Sequence, residues 1–419
     1  MIGLLVPTLI LVEPEELGQL MSFLLQRSSL VEARPDEVID LLSDRFGSSK
    51  RAVDAKSLDQ ATRMAVLLWP MLDGSYRVLI DSNDLFLEAI NNPLGHVGRL
   101  AVSILSRQRN DFNRSLTEDP ELEHLLGLIV ADADGKRVLG AVILTFQLPF
   151  LLAVAPEWTN KHLIPLLNWT RNKETALALW TGYFHSSQLP RLTNAFLDGL
   201  SQSFDNIVHF DETTRRKIPK YVIPLLQEAP DALESSWLIS FLQGSFDSDR
   251  ALMWQHLQYS LGDSQKKAEK NIFDEMWLSW GKKLVERRLT GGPDLETEEW
   301  RAIIDLFPFL DACFAEAVNL LERGPRAPKL QHGPKIFYWL ISAKPEGKLD
   351  HLWQHPNDLA RYLLYIHSDL EPSVYWLSEL DQAISRLGTI DGVQASLLSR
   401  LKNRYIELGG RTKDFSEQA

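Results

Sequence analysis

Apolar residues recur every three or four positions along nearly the whole chain, and this spacing constrains the fold more than any other feature of the sequence. Clear examples are Leu189, Leu192, Phe196, Leu200 and Phe204, and later in the chain Ile390, Val393, Leu397, Leu401 and Tyr405. This spacing puts apolar side chains on one face of an α-helix. Because each such face must be buried against another helix, the sequence predicts an all-α protein.

Cap and breaker residues set the expected ends of the helices. We predict helices over residues 15–26, 36–46, 58–68, 93–107, 157–167, 174–184, 213–226, 231–243, 249–261, 334–342, 357–367 and 374–386. A longer helix should run from Ser264, its N-cap, to Leu289, and glycines 291 and 292 followed by a proline should stop it. Asp294 should cap the next helix, which Pro308 should split. Helix pairs of roughly 30 to 45 residues joined by short turns favour an irregular α-solenoid of antiparallel pairs.

The polar stretch from Arg107 to Arg114 is the clearest candidate for a domain boundary. It would divide the chain into an N-terminal helical region, 1–110, and a C-terminal helical-repeat region, 111–419, unless the two form one continuous array. Weaker boundaries are indicated near Asp205 and Arg326. With 45% hydrophobic residues, including 12 Trp and 18 Phe, the chain can fill a sizeable core.

The net charge and the cysteine count limit which partners the chain is expected to bind and which cellular compartment it fits. A formal net charge of −12 supplies no general basic field for phosphate backbones, so we expect neither specific nucleic-acid binding nor attraction to anionic membranes. The single cysteine, Cys313, has no partner for an intrachain disulfide, which fits a reducing cytoplasm.

Two segments leave alternatives open. The uncharged run 138–155 approaches the lower length limit of a membrane span, but Gly140, Gln147 and Pro149 interrupt it, so a buried pair of short helices is expected instead. Residues 128–139 contain an Asp-Gly pair between two apolar runs, which is also compatible with a β-hairpin.

Familiar catalytic signatures are missing from the sequence. The chain has no phosphate-binding glycine loop, no Gly-x-Ser-x-Gly elbow and no dinucleotide fingerprint, so we predict a non-enzyme without a cofactor. His351 and His355 have the spacing of zinc ligands, but Leu352 stands where a metalloprotease has its general base. The segment 132–135 resembles the start of a calcium loop, but Arg137 occupies the position that requires glycine. Two surface histidines and a solvated turn are the simpler explanations.

Five residues between 277 and 288 form the predicted binding surface. They are Trp277, Trp280, Lys283, Arg287 and Arg288, with Lys282 beside them. The cations lie within two helical turns and would gather an anion or an acidic partner, and the two indoles would anchor a protein interface. The alternatives are a solvated face for the cations and a core position for the tryptophans. A different alternative is an enzyme of unfamiliar type built from scattered groups, among them His162, His185, His209 and Asp211. A third is a nucleic-acid-binding helical repeat, which would need the four cations at 282, 283, 287 and 288 to join other cations on one face.

Several motifs resemble a bacterial family of uncharacterised helical domains. The segment 150–169, which reads FLLAVAPEWTNKHLIPLLNW, is followed by ALWTGY at 178–183. Three shorter pieces come in the same order: NNPLG at 91–95 with Leu100, WLSW at 277–280 with RLTGGP at 288–293, and Phe307-Pro308 with 316–318. The likeness covers about residues 85 to 405. Members of that family typically lie downstream of sirtuin-like NAD-hydrolase domains in anti-phage defence proteins.

The resemblance implies a sensor or assembly module and not the NAD-hydrolase itself. Only about 85 residues precede the matching region, too few for a sirtuin-like domain, and the cofactor loop is missing. We therefore expect a non-catalytic helical recognition or scaffold protein whose partner is a phage component or a companion defence protein. It would act as a solitary sensor, as the binding half of a two-gene system, or as part of a longer chain.

Overall fold

The computed structural model of the chain describes residues 14–47, 52–72, 84–133, 135–186, 194–228, 233–265, 271–325, 349–368 and 377–411. Within these ranges the regular structure is helical and no strand forms, which confirms the all-α prediction. The chain divides into two compact units, Met1–Ile218 and Pro219–Ala419. The predicted boundary at residue 110 falls inside the first unit, within the last turn of the helix Pro93–Phe112.

Thirteen helices are described in the first unit. They are α1 (Pro14–Gln26), α2 (Ser28–Glu32), α3 (Pro35–Gly47), α4 (Ala55–Leu68), α5 (Leu85–Asn91), α6 (Pro93–Phe112), α7 (Pro120–Ala131), α8 (Val138–Phe146), α9 (Leu148–Val154), α10 (Pro156–Trp158), α11 (Lys173–His185), α12 (Asn194–Asp205) and α13 (Glu212–Arg215). A π-helical turn, Thr159–Leu163, continues α10 and leads into a 3-10 turn, Ile164–Leu167.

Ten helices are described in the second unit. They are α14 (Pro219–Glu228), α15 (Ser236–Gly244), α16 (Asp247–Gln265), α17 (Ile272–Met276), α18 (Lys282–Thr290), α19 (Thr297–Ile304), α20 (Phe314–Leu321), α21 (Pro356–Ile366), α22 (Leu377–Gly388) and α23 (Ala395–Glu407). A second π-helical turn, Trp277–Gly281, joins α17 to α18.

Local capping chemistry explains where these helices begin and end, as α6 shows. Its N-cap Asn92 accepts a hydrogen bond from the Leu94 backbone N–H at 3.0 Å, and Pro93 follows the cap. The helix ends where Asn113 takes a left-handed conformation with φ of 52°, a backbone region that asparagine tolerates better than most residues.

Several sequence predictions need correction at the helix ends. The helix predicted from Ser264 begins instead at Ile272, because the Asn271 side chain caps it, while Ser264 belongs to the preceding α16. Asp294 does not cap α19; the Asp247 side chain does so from another helix, accepting from the N–H groups of Glu298 and Glu299 at 2.8 and 2.9 Å. The predicted helix 334–342 lies outside the described residues.

The described residues of the segment 128–139 form no β-hairpin. Leu128 to Val130 belong to α7, and α8 begins at Val138. Asp132 ends α7 and its carboxylate accepts a hydrogen bond from the Trp69 indole at 2.8 Å, so this turn is a packed helix connection. The run 138–155 forms the expected pair of short helices, α8 and α9. No helix within the described ranges is long and apolar enough to cross a membrane.

Helix α8 is the centre of the first unit. Its residues 138–145 are all buried, and α5, α6, α7 and α11 pack around it. Glycines allow the closest approaches. A Cβ atom on Gly98 of α6 would lie 2.5 Å from the Gly140 carbonyl oxygen of α8, and one on Gly182 of α11 would lie 2.2 Å from the Val142 carbonyl oxygen. These distances are below any ordinary contact, so the two helices approach α8 only because those side chains are absent.

We predict that Gly182→Ala lowers the free energy of unfolding by about 2 to 3 kcal/mol, because the added methyl group overpacks the contact with α8. Urea unfolding measures the change. Gly127→Ala is the matched control, since a Cβ atom added to Gly127 would have no neighbour within 4 Å, and helix propensity favours alanine there by about 1 kcal/mol. Equal stability of Gly182→Ala and wild type would contradict the close packing.

Carboxylates from α16 and α17 hold the second unit together by binding backbone N–H groups of other elements. Besides Asp247, Asp274 of α17 accepts from the N–H groups of Asp311, Ala312 and Cys313 at 3.0 to 3.2 Å. These donors lie just before α20, where helix N–H groups lack intrahelical partners. Burial, together with Asp274, raises the pKa of the Cys313 thiol to about 11.

His367 ends α21 and is completely buried. Its Nδ1 lies 2.5 Å from the Leu363 carbonyl oxygen, and its own carbonyl accepts from Arg404 Nε at 2.8 Å. Burial lowers the pKa of His367 to about 4, because a charged imidazolium would lose its hydration there.

The folded His367 therefore resists a proton that the unfolded histidine accepts near pH 6.5. Above pH 6.5 the neutral His367 makes its full contribution to the free energy of unfolding. That contribution falls by about 3 kcal/mol in total as the pH drops from 6.5 toward 4. Unfolding of the wild type and His367→Gln between pH 7 and pH 4 tests this, and the variant should lose less stability. His124→Gln, at an exposed position, should follow the wild type. If the free energy of unfolding changed equally steeply with pH in the wild type and in His367→Gln, the assignment of the acid-induced loss to His367 would be refuted.

Candidate functional site

The predicted tryptophan anchors lie in the core of the second unit. Trp277 is 0% exposed and Trp280 is 2% exposed. The Trp277 indole donates to Glu316 at 3.1 Å and its ring meets Phe307 edge-on. Both residues therefore pack the π-helical turn against the rest of the unit, and neither indole is available to a partner.

Arg288 is also buried, in a charged cluster that Glu299 organises. Glu299 is 0% exposed, and its two oxygens accept from Arg288 Nε and Nη2 at 2.8 and 2.9 Å and from Arg250 Nε at 2.6 Å. Backbone carbonyls take further guanidinium hydrogens: Pro293 and Asp294 bond Arg288, and Ser245 bonds Arg250. The cluster joins α16, α18 and α19 through groups far apart in sequence.

The other predicted cations differ in how much of their charge remains available. Arg287 is half-buried, donates to the Leu233 carbonyl and lies 3.5 Å from Glu234. Lys282 pairs with Glu316 at 2.5 Å. Lys283 is exposed. The segment thus presents Lys283 to solvent, whereas its remaining cations contact acceptors of the same unit.

We predict that Arg288→Ala lowers the free energy of unfolding by about 3 to 5 kcal/mol, because it leaves a buried charge without one of its partners. Lys283→Ala, five residues earlier on the same helix, should change stability by less than about 0.5 kcal/mol. Thermal and denaturant unfolding measure both. Similar stabilities for the two variants would contradict the buried cluster.

Two of the four scattered groups in the enzyme alternative come together in the first unit. His185 Nε2 lies 3.2 Å from the Thr214 hydroxyl, which donates to Asp211 at 2.6 Å. Lys217 Nζ lies 2.8 Å from His185 Nδ1. Asp211 also accepts from the Thr214 N–H and so caps α13. Thr214 is fully buried, and these contacts tie α11 to α13.

The other two histidines of the enzyme alternative lie elsewhere. His162 stacks on Trp158 with 5.5 Å between ring centroids, and His209 is exposed at the end of a short 3-10 turn. His351 Nε2 lies 3.0 Å from the Pro308 carbonyl oxygen. Among the described residues, no group of three or more His, Cys, Asp or Glu side chains is arranged to hold a metal ion.

A cleft of about 490 Å³ opens on the first unit. Its volume lies within the range of small-molecule sites. Its apolar wall comprises Phe46, Val102, Phe146, Pro149 and Phe150. Phe46 is buried at the end of α3, whereas Phe146 and Phe150 are half-buried at the junction of α8 and α9, so their rings are partly accessible.

The C-terminal half of α6 supplies the polar wall of the cleft. Its residues there are Ser103, Ser106, Arg107, Asn110 and Asp111, and Gln147 faces the same space. Arg107 Nε donates to the Phe46 carbonyl at 3.0 Å, and its Nη1 lies 3.7 Å from Asp111. Burial lowers the pKa of Arg107. The spacing of these residues along α6 is that of one helix face.

Sequence reasoning missed this cleft. Its residues are distributed from Phe46 to Ser186, and the polar stretch that contributes Arg107, Asn110 and Asp111 looked like a domain boundary. The polar side chains at three- and four-residue spacing in α6 were the available signal, but it does not distinguish a cleft from a solvated face.

No protein-family model, curated protein or solved structure matches the chain.

Proposed function

We propose that this chain is a non-catalytic recognition protein and that the cleft of the first unit is its ligand site. The observation that carries the proposal is the chemistry of the cleft lining. Among the described residues that line it, Arg107 and Asp111 are the titratable side chains, and they lie 3.7 Å apart as an ion pair. The cleft offers aromatic faces and hydrogen-bonding groups, which serve binding.

The described lining offers its serine hydroxyls no histidine base, and its one carboxylate, Asp111, is paired with Arg107. Ser103 and Ser106 lie in the cleft, but a serine nucleophile needs an adjacent base to remove its proton, and no histidine contributes to the described lining. His185 precedes the lining residue Ser186 in the sequence, but its ring nitrogens contact Lys217 and Thr214. Binding without turnover is therefore the simplest activity for this arrangement.

A cleft-filling variant tests the proposal. Fragments that bind the wild type in saturation-transfer NMR should include a set that compete for one site, and Ser106→Trp should weaken that set by at least about tenfold by occupying the cleft. Ser106 is half-exposed, so the variant should keep the wild-type melting temperature. The bound fragments should be recovered chemically unchanged after prolonged incubation.

Arg109→Trp is the matched control, because Arg109 is exposed on the same helix and does not line the cleft. It should retain fragment binding. Conversion of a bound fragment into a product would replace the recognition proposal by the enzyme alternative. Fragment binding that is insensitive to Ser106→Trp would remove the cleft as the site.

The family resemblance supplies the biological setting for the proposal, with a phage component or a companion defence protein as the partner. The segment FLLAVAPEWTNKHLIPLLNW that carries the resemblance begins at Phe150, on the wall of the cleft. A bacterial host that expresses the chain, with its neighbouring genes, should resist phage, and Ser106→Trp should reduce that resistance while Arg109→Trp preserves it. If both variants protected the host equally, the cleft would have no part in phage resistance.

A further inference from the structure

We propose that the cleft binds an uncharged, flat heteroaromatic ring with hydrogen-bonding groups on its edge, which is the chemistry of a nucleobase; this inference rests on the proposed function and specifies its ligand class. The charges of the lining support a neutral ligand. Among the described lining residues the charged side chains are Arg107 and Asp111, which lie 3.7 Å apart as a pair. A charged ligand would lose hydration in the cleft without gaining an unpaired counter-ion, and that loss is costly.

Four neutral side chains of the lining are able to bond the edge of such a ring. Ser103 and Gln147 are half-buried, and within the described part of the chain neither side chain bonds another protein group. Asn110 donates to the Ser106 hydroxyl at 3.2 Å, which leaves the Asn110 side-chain oxygen as an acceptor and the Ser106 hydroxyl hydrogen as a donor. The Gln147 amide offers a donor and an acceptor side by side, which matches adjacent acceptor and donor atoms on a base edge.

The apolar wall provides a surface on which a flat ring can stack. Phe146 and Phe150 line the cleft and are half-buried. Phe86 packs against Phe146 with 5.0 Å between the ring centroids, which holds that ring in place. Phenylalanine has no polar group, so these rings offer a face for stacking and no hydrogen bond. Because every base has a flat π-face, the rings accept any base, and the amide and hydroxyl groups select among base edges.

The expected ligand is a free base or nucleoside and not a nucleic-acid strand. Binding of a strand requires cations along the phosphate backbone. The cationic side chain among the described lining residues is Arg107, which already donates to the Phe46 carbonyl and contacts Asp111. The chain as a whole has a formal net charge of −12. A phosphate group on the ligand would therefore weaken binding.

A series of alkylated bases tests the inference. Adenine, guanine, cytosine, uracil and thymine are each propylated at the nitrogen that bears the sugar in a nucleoside, and each is titrated into the full chain by ligand-observed NMR. At least one of them should bind about tenfold more tightly than propylbenzene, which has the flat ring but no hydrogen-bonding edge. The same base should displace the fragments whose binding Ser106→Trp weakens.

Charge is then varied at nearly constant shape. Replacing the terminal methyl group of the propyl chain by an ammonium group, or by a carboxylate, should weaken binding of the preferred base by about fivefold. The ribonucleoside of that base should retain binding. Its 5′-monophosphate and a short single-stranded oligonucleotide should bind more weakly than the ribonucleoside.

Variants locate the effect. Gln147→Met keeps the length of the side chain and removes the amide, so it should reduce affinity for the preferred base by about fivefold and leave propylbenzene unaffected. Phe150→Leu should weaken both ligands by about threefold through loss of an aromatic face. The matched controls are Gln26→Met and Phe23→Leu, at exposed positions of the same unit that do not line the cleft. Melting temperatures show that each variant is folded.

The outcomes separate this inference from the proposed function. Tighter binding of a charged derivative, or of methyl glucoside, than of any propylated base would overturn the nucleobase inference and leave the cleft as the recognition site. Absence of base binding by a chain that still binds its fragments would do the same. Base binding that neither Gln147→Met nor Phe150→Leu changes would also overturn the inference. Absence of binding for every probe, together with an empty fragment screen, would overturn both.

Discussion

The first unit depends on how closely two helices can approach the buried helix α8. Helix α8 has no polar face and is therefore packed against other helices. It contacts α6 at Gly98 and α11 at Gly182. A helix buried on every side gains stability from dispersion contacts that weaken steeply with distance. The glycines therefore determine how far apart α6 and α11 lie. The same spacing sets the opening of the cleft, because α6 and the ends of α8 and α11 form its walls.

The second unit depends instead on charged side chains that are buried inside a helical core. Glu299 is shared by two arginines from different helices, and carbonyl oxygens of loops take the remaining guanidinium hydrogens. A buried ion pair contributes little net stability compared with apolar packing, but loss of one member is costly. The cluster thereby selects one arrangement of α16, α18 and α19. Asp247 and Asp274 add to this selection by capping elements distant in sequence.

The sequence predicted the secondary structure of the described residues better than the site. Periodicity and breakers located most helices, for example α6, because the signals are local. The failures involve long-range contacts. Asp247, 51 residues away from Glu298, takes the capping role that Asp294 was expected to fill. Glu299 draws Arg288 into the core, although a cation near a helix end is typical of a solvated face. The cleft was equally inaccessible to prediction, since it exists only where separate helices meet.

The position of Cys313 has a consequence for the chemistry of its thiol. The residue is buried beside Asp274, and with a pKa of about 11 only about one thiol in ten thousand is ionised at pH 7. The thiolate is the form that reacts with alkylating agents and peroxides. Modification of the native chain should accordingly be slow and governed by opening of the Asp274 contacts. Its single cysteine thus makes the rate of thiol labelling a direct measure of local opening in the second unit, without an introduced probe.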